Sequence, residues 1–170
     1  LPLMPINISD MFDEDEHRLP SAELLKGVRI ITSSGGNVTA KMIKDLEKHF
    51  ANAKIYSMHG LTEAFRSTYL DPAQLKIRPN SIGKAIPDVE LYVIDENGKE
   101  CAPRVVGELI HRGGYIYKGF WNAPKETEER FKSIYILKNA INLEGQLRDE
   151  IVVKTGDFVY KDEEGYFYFV

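Results

Sequence analysis

A β-branched run, an amphipathic helical segment and a second apolar run follow one another between residues 28 and 58. This order narrows the fold more than any other stretch of the chain. Val28–Thr32 reads as a buried strand, and Ser33-Ser34-Gly35-Gly36-Asn37 supplies the small residues of a tight connection. Beyond it Val38, Met42, Ile43, Leu46 and Phe50 share one helical face, while Lys41, Lys44, Asp45 and Lys48 fall elsewhere. Thr39 is suited to cap the helix, because its hydroxyl can accept from an amide of the first turn. Ile55–Met58 reads as the next strand. Strand, helix and strand within roughly thirty residues have the proportions of a parallel crossover unit.

After Pro72 the pattern changes to short runs separated by turns. Val89–Asp95 alternates, Glu96-Asn97-Gly98-Lys99 reads as a hairpin turn, and Gly107–Arg112 alternates again. Asp157–Lys161, the turn Asp162-Glu163-Glu164-Gly165 and Tyr166–Val170 make a last hairpin. Pro124–Phe131 reads as one short helix, with Asn122 or Ala123 near its start and Pro124 in its first turn. The expected fold is therefore α/β: the end of a parallel βαβ layer over residues 1–72, then a small antiparallel, distorted β-barrel over residues 73–170. The opening stretch to Pro20, with its acidic run Asp13-Glu14-Asp15-Glu16, reads as a surface loop.

Charge and composition exclude several functions. With 43% hydrophobic and 28% charged residues the chain is that of a folded globular protein. Its net charge of -4 argues against a phosphate-backbone surface, which needs an excess of Lys and Arg, so no nucleic-acid partner is expected. Cys101 is the single cysteine, which leaves no disulfide framework or thiolate cluster and fits a reducing cytoplasm. No apolar run reaches membrane length, and no basic segment leads into an apolar stretch at the start. A cytoplasmic location without membrane contact is expected.

Two motifs carry candidate chemistry: His59-Gly60-Leu61-Thr62-Glu63 at the end of the second expected strand, and Lys154-Thr155-Gly156-Asp157 before the last hairpin. In open parallel sheets ligands bind beyond the carboxyl ends of strands, which is where the first motif falls. A carboxylate beside a hydroxyl can give Mg²⁺ one or two oxygens and leave the rest of its shell to water and phosphate. The same Thr-Glu pair also suits the start of a helix, Thr capping and Glu in the first turn. Gly35-Gly36 equally suits a plain turn, and Thr155-Gly156-Asp157 an ordinary strand-entry turn. His17, His49 and His111 have no ligand spacing. Tyr115, Tyr117 and Trp121 read as barrel packing rather than a base-stacking platform.

Five segments in this order decide among those alternatives: Ser34-Gly35-Gly36, YSMHGLTEAF at 56–65, SIGKAIPDVELYVID at 81–95, GELIHRGGYIYKGFWNAPKETEERF at 107–131 and KTGDFVYKDEEGYFYF at 154–169. Through them the chain, from about Pro20 to Val170, resembles the adenylate-forming superfamily of acyl-CoA synthetases, peptide-synthetase adenylation domains and firefly luciferase. The segment Ala64–Leu70 is similar to acyl-CoA ligases associated with bacterial exosortase systems. The resemblance implies ATP, AMP and Mg²⁺ as ligands, a small-molecule carboxylic acid, fatty acids included, as substrate and coenzyme A as second substrate, or alternatively a carrier protein's thiol as acceptor. A non-catalytic nucleotide-binding or interaction module on the same fold is the rival of a different class.

The same resemblance implies residue roles. Gly35 and Gly36 would lie along the adenine, and His59 would stack on it where the family usually has Tyr. Gly60 would allow close backbone approach, Thr62 would reach the α-phosphate and Glu63 would bind Mg²⁺. Asp157 would accept from both ribose hydroxyls, work suited to a carboxylate because its oxygens only accept. Phe65 would contact the acyl substrate or else pack as core. The family's phosphate loop and its catalytic-lysine domain lie outside this sequence, so the chain is expected to be part of a longer polypeptide and inactive in adenylation alone. Ile134–Arg148 is longer than the family's usual connection, and a loop or extra helix is expected there.

Overall fold

A computed structural model describes residues 1–12, 22–36, 38–145 and 149–170. The chain divides into two compact units, Leu1–His59 with Tyr69–Gly83, and Gly60–Thr68 with Lys84–Val170. The expected boundary after residue 72 falls inside the second segment of the first unit.

The first unit is the parallel layer. It contains β1 (Pro2–Leu3), α1 (Pro5–Met11), α2 (Ala22–Leu25), β2 (Ile30–Ser33), α3 (Ala40–His49) and β3 (Lys54–His59). β1 and β3 both pair with β2 in parallel, Pro2 opposite Thr32 and Ile31 opposite Ile55. The crossover expected from residues 28–58 is present. Thr39 caps α3 by accepting from the Met42 amide at 3.3 Å, and the apolar stripe buries Ile43 and Leu46, with Val38 and Phe50 buried at the two flanks. Each such side chain removed from water contributes about 1.5–3 kcal/mol, so the stripe rather than helix propensity holds α3 in place. β4 (Thr68–Leu70) follows β3 in hydrogen-bonded order, then β5 (Ser81–Ala85). At Gly83, with φ +92°, an added Cβ would lie 1.9 Å from the Tyr69 carbonyl oxygen, so only glycine fits that strand contact.

The reading of the opening stretch as loop needs correction. Pro2–Leu3 is a strand, and α1 carries the fully buried Ile8 against α3. Two prolines in five residues concealed it: Pro2 sits on an edge strand and Pro5 at the first helical position, both places where the missing N–H costs nothing. The acidic run Asp13–Glu16 and His17 lie outside the described residues.

The second unit is antiparallel. It comprises β6 (Val89–Ile94), β7 (Gly107–Gly113), α4 (Pro124–Arg130), β8 (Phe131–Ser133), β9 (Ile151–Lys161) and β10 (Phe167–Phe169). The strand order is β10-β9-β7-β6, and β8 also pairs with β9. Ile94, Ile110, Ile134, Leu137 and Val152 form one core cluster. Asp95 organises the expected turn, its Oδ1 accepting from the amides of Asn97 and Lys99, both at 2.9 Å. In the last hairpin Asp162 Oδ1 accepts from Glu164 and Tyr166, and Tyr160 stacks on its cross-strand partner Tyr168 at 4.9 Å between centroids. A 3-10 turn at Ile134–Leu137, buried through Ile134 and Leu137, opens the long connection; residues 146–148 at its end lie outside the described residues.

Candidate functional site

The Thr62-Glu63 segment does not begin a helix. After Gly60 the chain forms a bent loop in which the Leu61 amide donates to the Ala64 carbonyl at 3.2 Å. The loop is then sewn to residues 115–117: Phe65 donates to Tyr115, Tyr117 donates to Glu63, and Ala64 bridges Ile116. These bonds use up the backbone groups that a helix would have needed. A Cβ at Gly60 would lie 2.7 Å from the Arg66 amide nitrogen, and Arg66 itself has φ +63°, so the loop closes on itself only with glycine there. Below the loop, fully buried Ser67 and His111 share a hydrogen bond of 2.9 Å between Oγ and Nδ1.

This geometry exposes Thr62 and leaves the Glu63 side chain 14% exposed. Phe65 is more than half exposed, with the Arg66 guanidinium 5.0 Å from its ring centroid, so it is not core. Tyr115, Tyr117 and Trp121 are also exposed, Trp121 at 97%, which corrects their reading as barrel packing. Leu61, Thr62, Glu63, Phe65, Tyr117 and Trp121 are among the residues lining a cavity of about 340 Å³. That volume is at the lower end for a small-molecule site.

The second motif is no entry turn, because β9 runs through it without a break. Glu108 faces Phe158 and Ile110 faces Lys154, so the single residue Leu109 opposes the three residues Thr155, Gly156 and Asp157. The motif is thus a β-bulge, a device that interrupts strand alternation and re-aims side chains. Each residue has a part in it. The Thr155 hydroxyl donates to the Leu109 carbonyl at 2.8 Å and accepts from the Asp157 amide at 3.0 Å. Gly156 supplies φ +76°. Asp157 is left half-buried at the end of the bulge. Beside it Lys154 and Glu108 pair across the strands at 3.0 Å.

Arg130, in the last turn of α4, was not singled out from the sequence. Its Nη1 donates to the carbonyls of Lys154 and Thr155, and its Nε lies 4.0 Å from Glu63 Oε1. One guanidinium therefore touches both motifs of the second unit. The only sequence signal was a basic residue closing a short helix just ahead of a strand, where helix-dipole arguments already account for it.

Gly35, Gly36 and His59 belong to the first unit. Gly35 has φ +87°, a conformation that favours glycine, and a Cβ at Gly36 would lie 3.2 Å from the Pro5 side chain. His59 ends β3, half-buried. His49 Nδ1 lies 2.9 Å from the Asp45 carbonyl. Among the described residues no three His, Cys, Asp or Glu side chains are grouped to hold a metal. One carboxylate at Glu63 beside the Thr62 hydroxyl fits Mg²⁺ carried in by phosphates, which keeps most of its shell as water and substrate oxygens. No helix among the described residues is long and apolar enough to cross a membrane.

Residues 2–121 match the family of AMP-binding enzymes. The chain is 31% identical over 147 residues to a luciferin 4-monooxygenase of Photuris pensylvanica, covering 86% of this chain and 24% of that protein. It is 32% identical over 136 residues to a long-chain-fatty-acid–CoA ligase of Bacillus subtilis, covering 79% and 21%. The chain thus spans about a fifth to a quarter of the length of these relatives. Its fold is similar to that of O-succinylbenzoate coenzyme A synthetase from Bacillus subtilis, solved with ATP and a magnesium ion. There the TM-score is 0.72 at 21% identity, over 99% of this chain and 30% of that one.

Proposed function

Because the chain belongs to the AMP-binding enzyme family, we propose that it forms part of an enzyme that activates a carboxylic acid with ATP, giving an acyl-adenylate and then an acyl thioester of coenzyme A. The observation that supports this reading is that the Thr62-Glu63 loop and the Thr155–Asp157 bulge lie in a single unit, with the Arg130 guanidinium on the bulge carbonyls and 4.0 Å from Glu63. A hydroxyl, a carboxylate for a metal and a carboxylate for a diol are the groups that a nucleoside phosphate needs.

The proposed chemistry requires no nucleophilic side chain. The acid's carboxylate oxygen bonds to the α-phosphorus as the bond to pyrophosphate breaks; the thiol sulfur then bonds to the acyl carbon and AMP departs. The protein's contribution is positioning and charge stabilisation. Thr62 would donate to an α-phosphate oxygen, Asp157 would accept from the ribose hydroxyls, and Gly60 would keep the loop closed beneath them. Magnesium, when held by Glu63, supplies positive charge to the phosphate oxygens. Gly35, Gly36 and His59 are proposed for the adenine by their resemblance to the family's residues. The long-chain-fatty-acid–CoA ligase and the coenzyme A synthetase among the matches favour a coenzyme A thioester as product. A cytoplasmic location is part of the proposal.

Since the chain spans a fraction of its relatives, it is expected to bind nucleotide without catalysing adenylation. Calorimetry with AMP tests the site. The wild-type chain should bind and Asp157→Ala should bind at least about tenfold more weakly, the loss of a charge-assisted pair of hydrogen bonds. Equal affinities would remove the ribose assignment, and acid-dependent pyrophosphate exchange by the isolated chain would refute its inactivity.

A further inference from the structure

Arg130 has no ligand-binding role in the proposed site, yet its guanidinium reaches both the Glu63 loop and the Asp157 bulge. Its Nη1 donates to the Lys154 carbonyl at 3.4 Å and, at shorter range, to the Thr155 carbonyl, on the bulge that ends in Asp157. Its Nε lies 4.0 Å from Glu63 Oε1, in the loop sewn to residues 115–117. The guanidinium is planar with donors in a fixed fork, so satisfying one end fixes the direction of the other. Gly156 completes the fit: a Cβ there would lie 2.2 Å from Arg130 Nη1, so the bulge has room for the guanidinium only because position 156 has no side chain.

We infer that Arg130 is a positioning residue that sets the Glu63 loop and the Asp157 bulge relative to each other, so that the metal-binding and ribose-binding carboxylates of the proposed site are aligned through one guanidinium. The inference deepens the nucleotide reading and rests on it for the roles of the two carboxylates. The physical tie itself does not depend on nucleotide. Arg130 also places a positive charge 4.0 Å from Glu63 Oε1.

The alternatives make separable predictions. If Arg130 merely satisfies the bulge carbonyls, its loss should loosen residues 154–158 and leave residues 61–65 as they were. If it ties the two, both should loosen together. Hydrogen exchange on the complete chain, without ligand, reads this directly through the bonded amides of Leu61, Phe65 and Asp157. Arg130→Gln should speed exchange about tenfold in both segments, and Arg130→Lys should restore one segment but not both, because an ammonium lacks the fork. Arg104→Gln, which removes an exposed ion pair with Glu163, serves as the control and should change neither. Wild-type exchange at 61–65 in Arg130→Gln, or restoration of both segments by Arg130→Lys, overturns the inference.

Calorimetry with AMP then separates this inference from the reading beneath it. Arg130→Gln should weaken AMP binding about tenfold, as Asp157→Ala does, and Arg130→Lys should recover only part of the loss. Weakening by Asp157→Ala with an unchanged affinity in Arg130→Gln keeps the nucleotide site and overturns the positioning role. Absence of AMP binding by the wild type overturns the nucleotide reading, and with it the alignment of ligand-binding carboxylates, whatever the exchange rates show.

Discussion

Replacing Gly156 by alanine tests the bulge at its least tolerant point. Two costs follow from the geometry. The backbone holds φ +76°, where an L side chain costs about 1–2 kcal/mol. The new Cβ would also meet Arg130 Nη1 at 2.2 Å, which forces the guanidinium off the Lys154 and Thr155 carbonyls. A charged hydrogen bond contributes about 1.5–3 kcal/mol when enclosed, and at the 41% exposure of Arg130 about 1 kcal/mol is the reasonable share. The expected loss is therefore about 2–3 kcal/mol. Gly165→Ala supplies the reference, since Gly165 has φ +84° with nothing within 4 Å of the added Cβ, and should lose only the backbone term. Urea unfolding followed by near-ultraviolet circular dichroism of the tyrosines reads both variants; at a slope of about 2 kcal/mol per molar, Gly156→Ala should unfold roughly 0.5 M earlier than Gly165→Ala. In an Arg130→Ala background that excess should vanish. Equal midpoints for the two glycine variants, or an excess that survives the loss of Arg130, would refute the reasoning.

Two further outcomes are expected. Ser67→Ala removes the hydroxyl from the fully buried His111 ring and should cost about 1–3 kcal/mol in urea unfolding, and a midpoint equal to the wild type would count against that bond. The Tyr92 phenol is pushed up from 10.0 to about 12, first by burial and then by its hydrogen bond to Glu90. Ionisation is thus easier in the unfolded chain, so the contribution is complete below pH 10 and is lost as pH rises toward 12. Tyr92→Phe should flatten that alkaline fall in the unfolding midpoint between pH 9 and 12, and an unchanged slope would count against a raised Tyr92 pKa.

The parallel crossover was legible because its determinants are local. The apolar stripe of α3, its Thr39 cap and the flanking β-branched runs each act within a few residues, and tertiary packing agrees with them. The opening stretch was misread because its two prolines signal irregular chain, yet both occupy positions that tolerate a missing N–H. The exposed Trp121 and Tyr117 were misread for a different reason. Aromatic residues between turns usually fill a core, whereas these two lie at the surface beside the cavity that Thr62 and Glu63 also line.

The candidate site divides along the same line. From the sequence Gly60 reads as a close backbone approach and Gly156 as part of a turn, but the backbone they adopt depends on partners far along the chain: residues 115–117 for the Glu63 loop and Leu109 for the bulge. Local propensity favours Thr62-Glu63 as a helix start, with Thr capping and Glu in the first turn. The long-range pairing prevails because it satisfies the same amides and carbonyls while burying Ala64 completely. Arg130 is the extreme case, a surface-helix residue by every local rule, whose partners are 24 and 25 residues ahead and on a loop well behind. Motif spacing singles out side chains whose chemistry restricts the residue type. Side chains that hold those motifs in register are restricted only by geometry, and that restriction has no signature until the strands are paired.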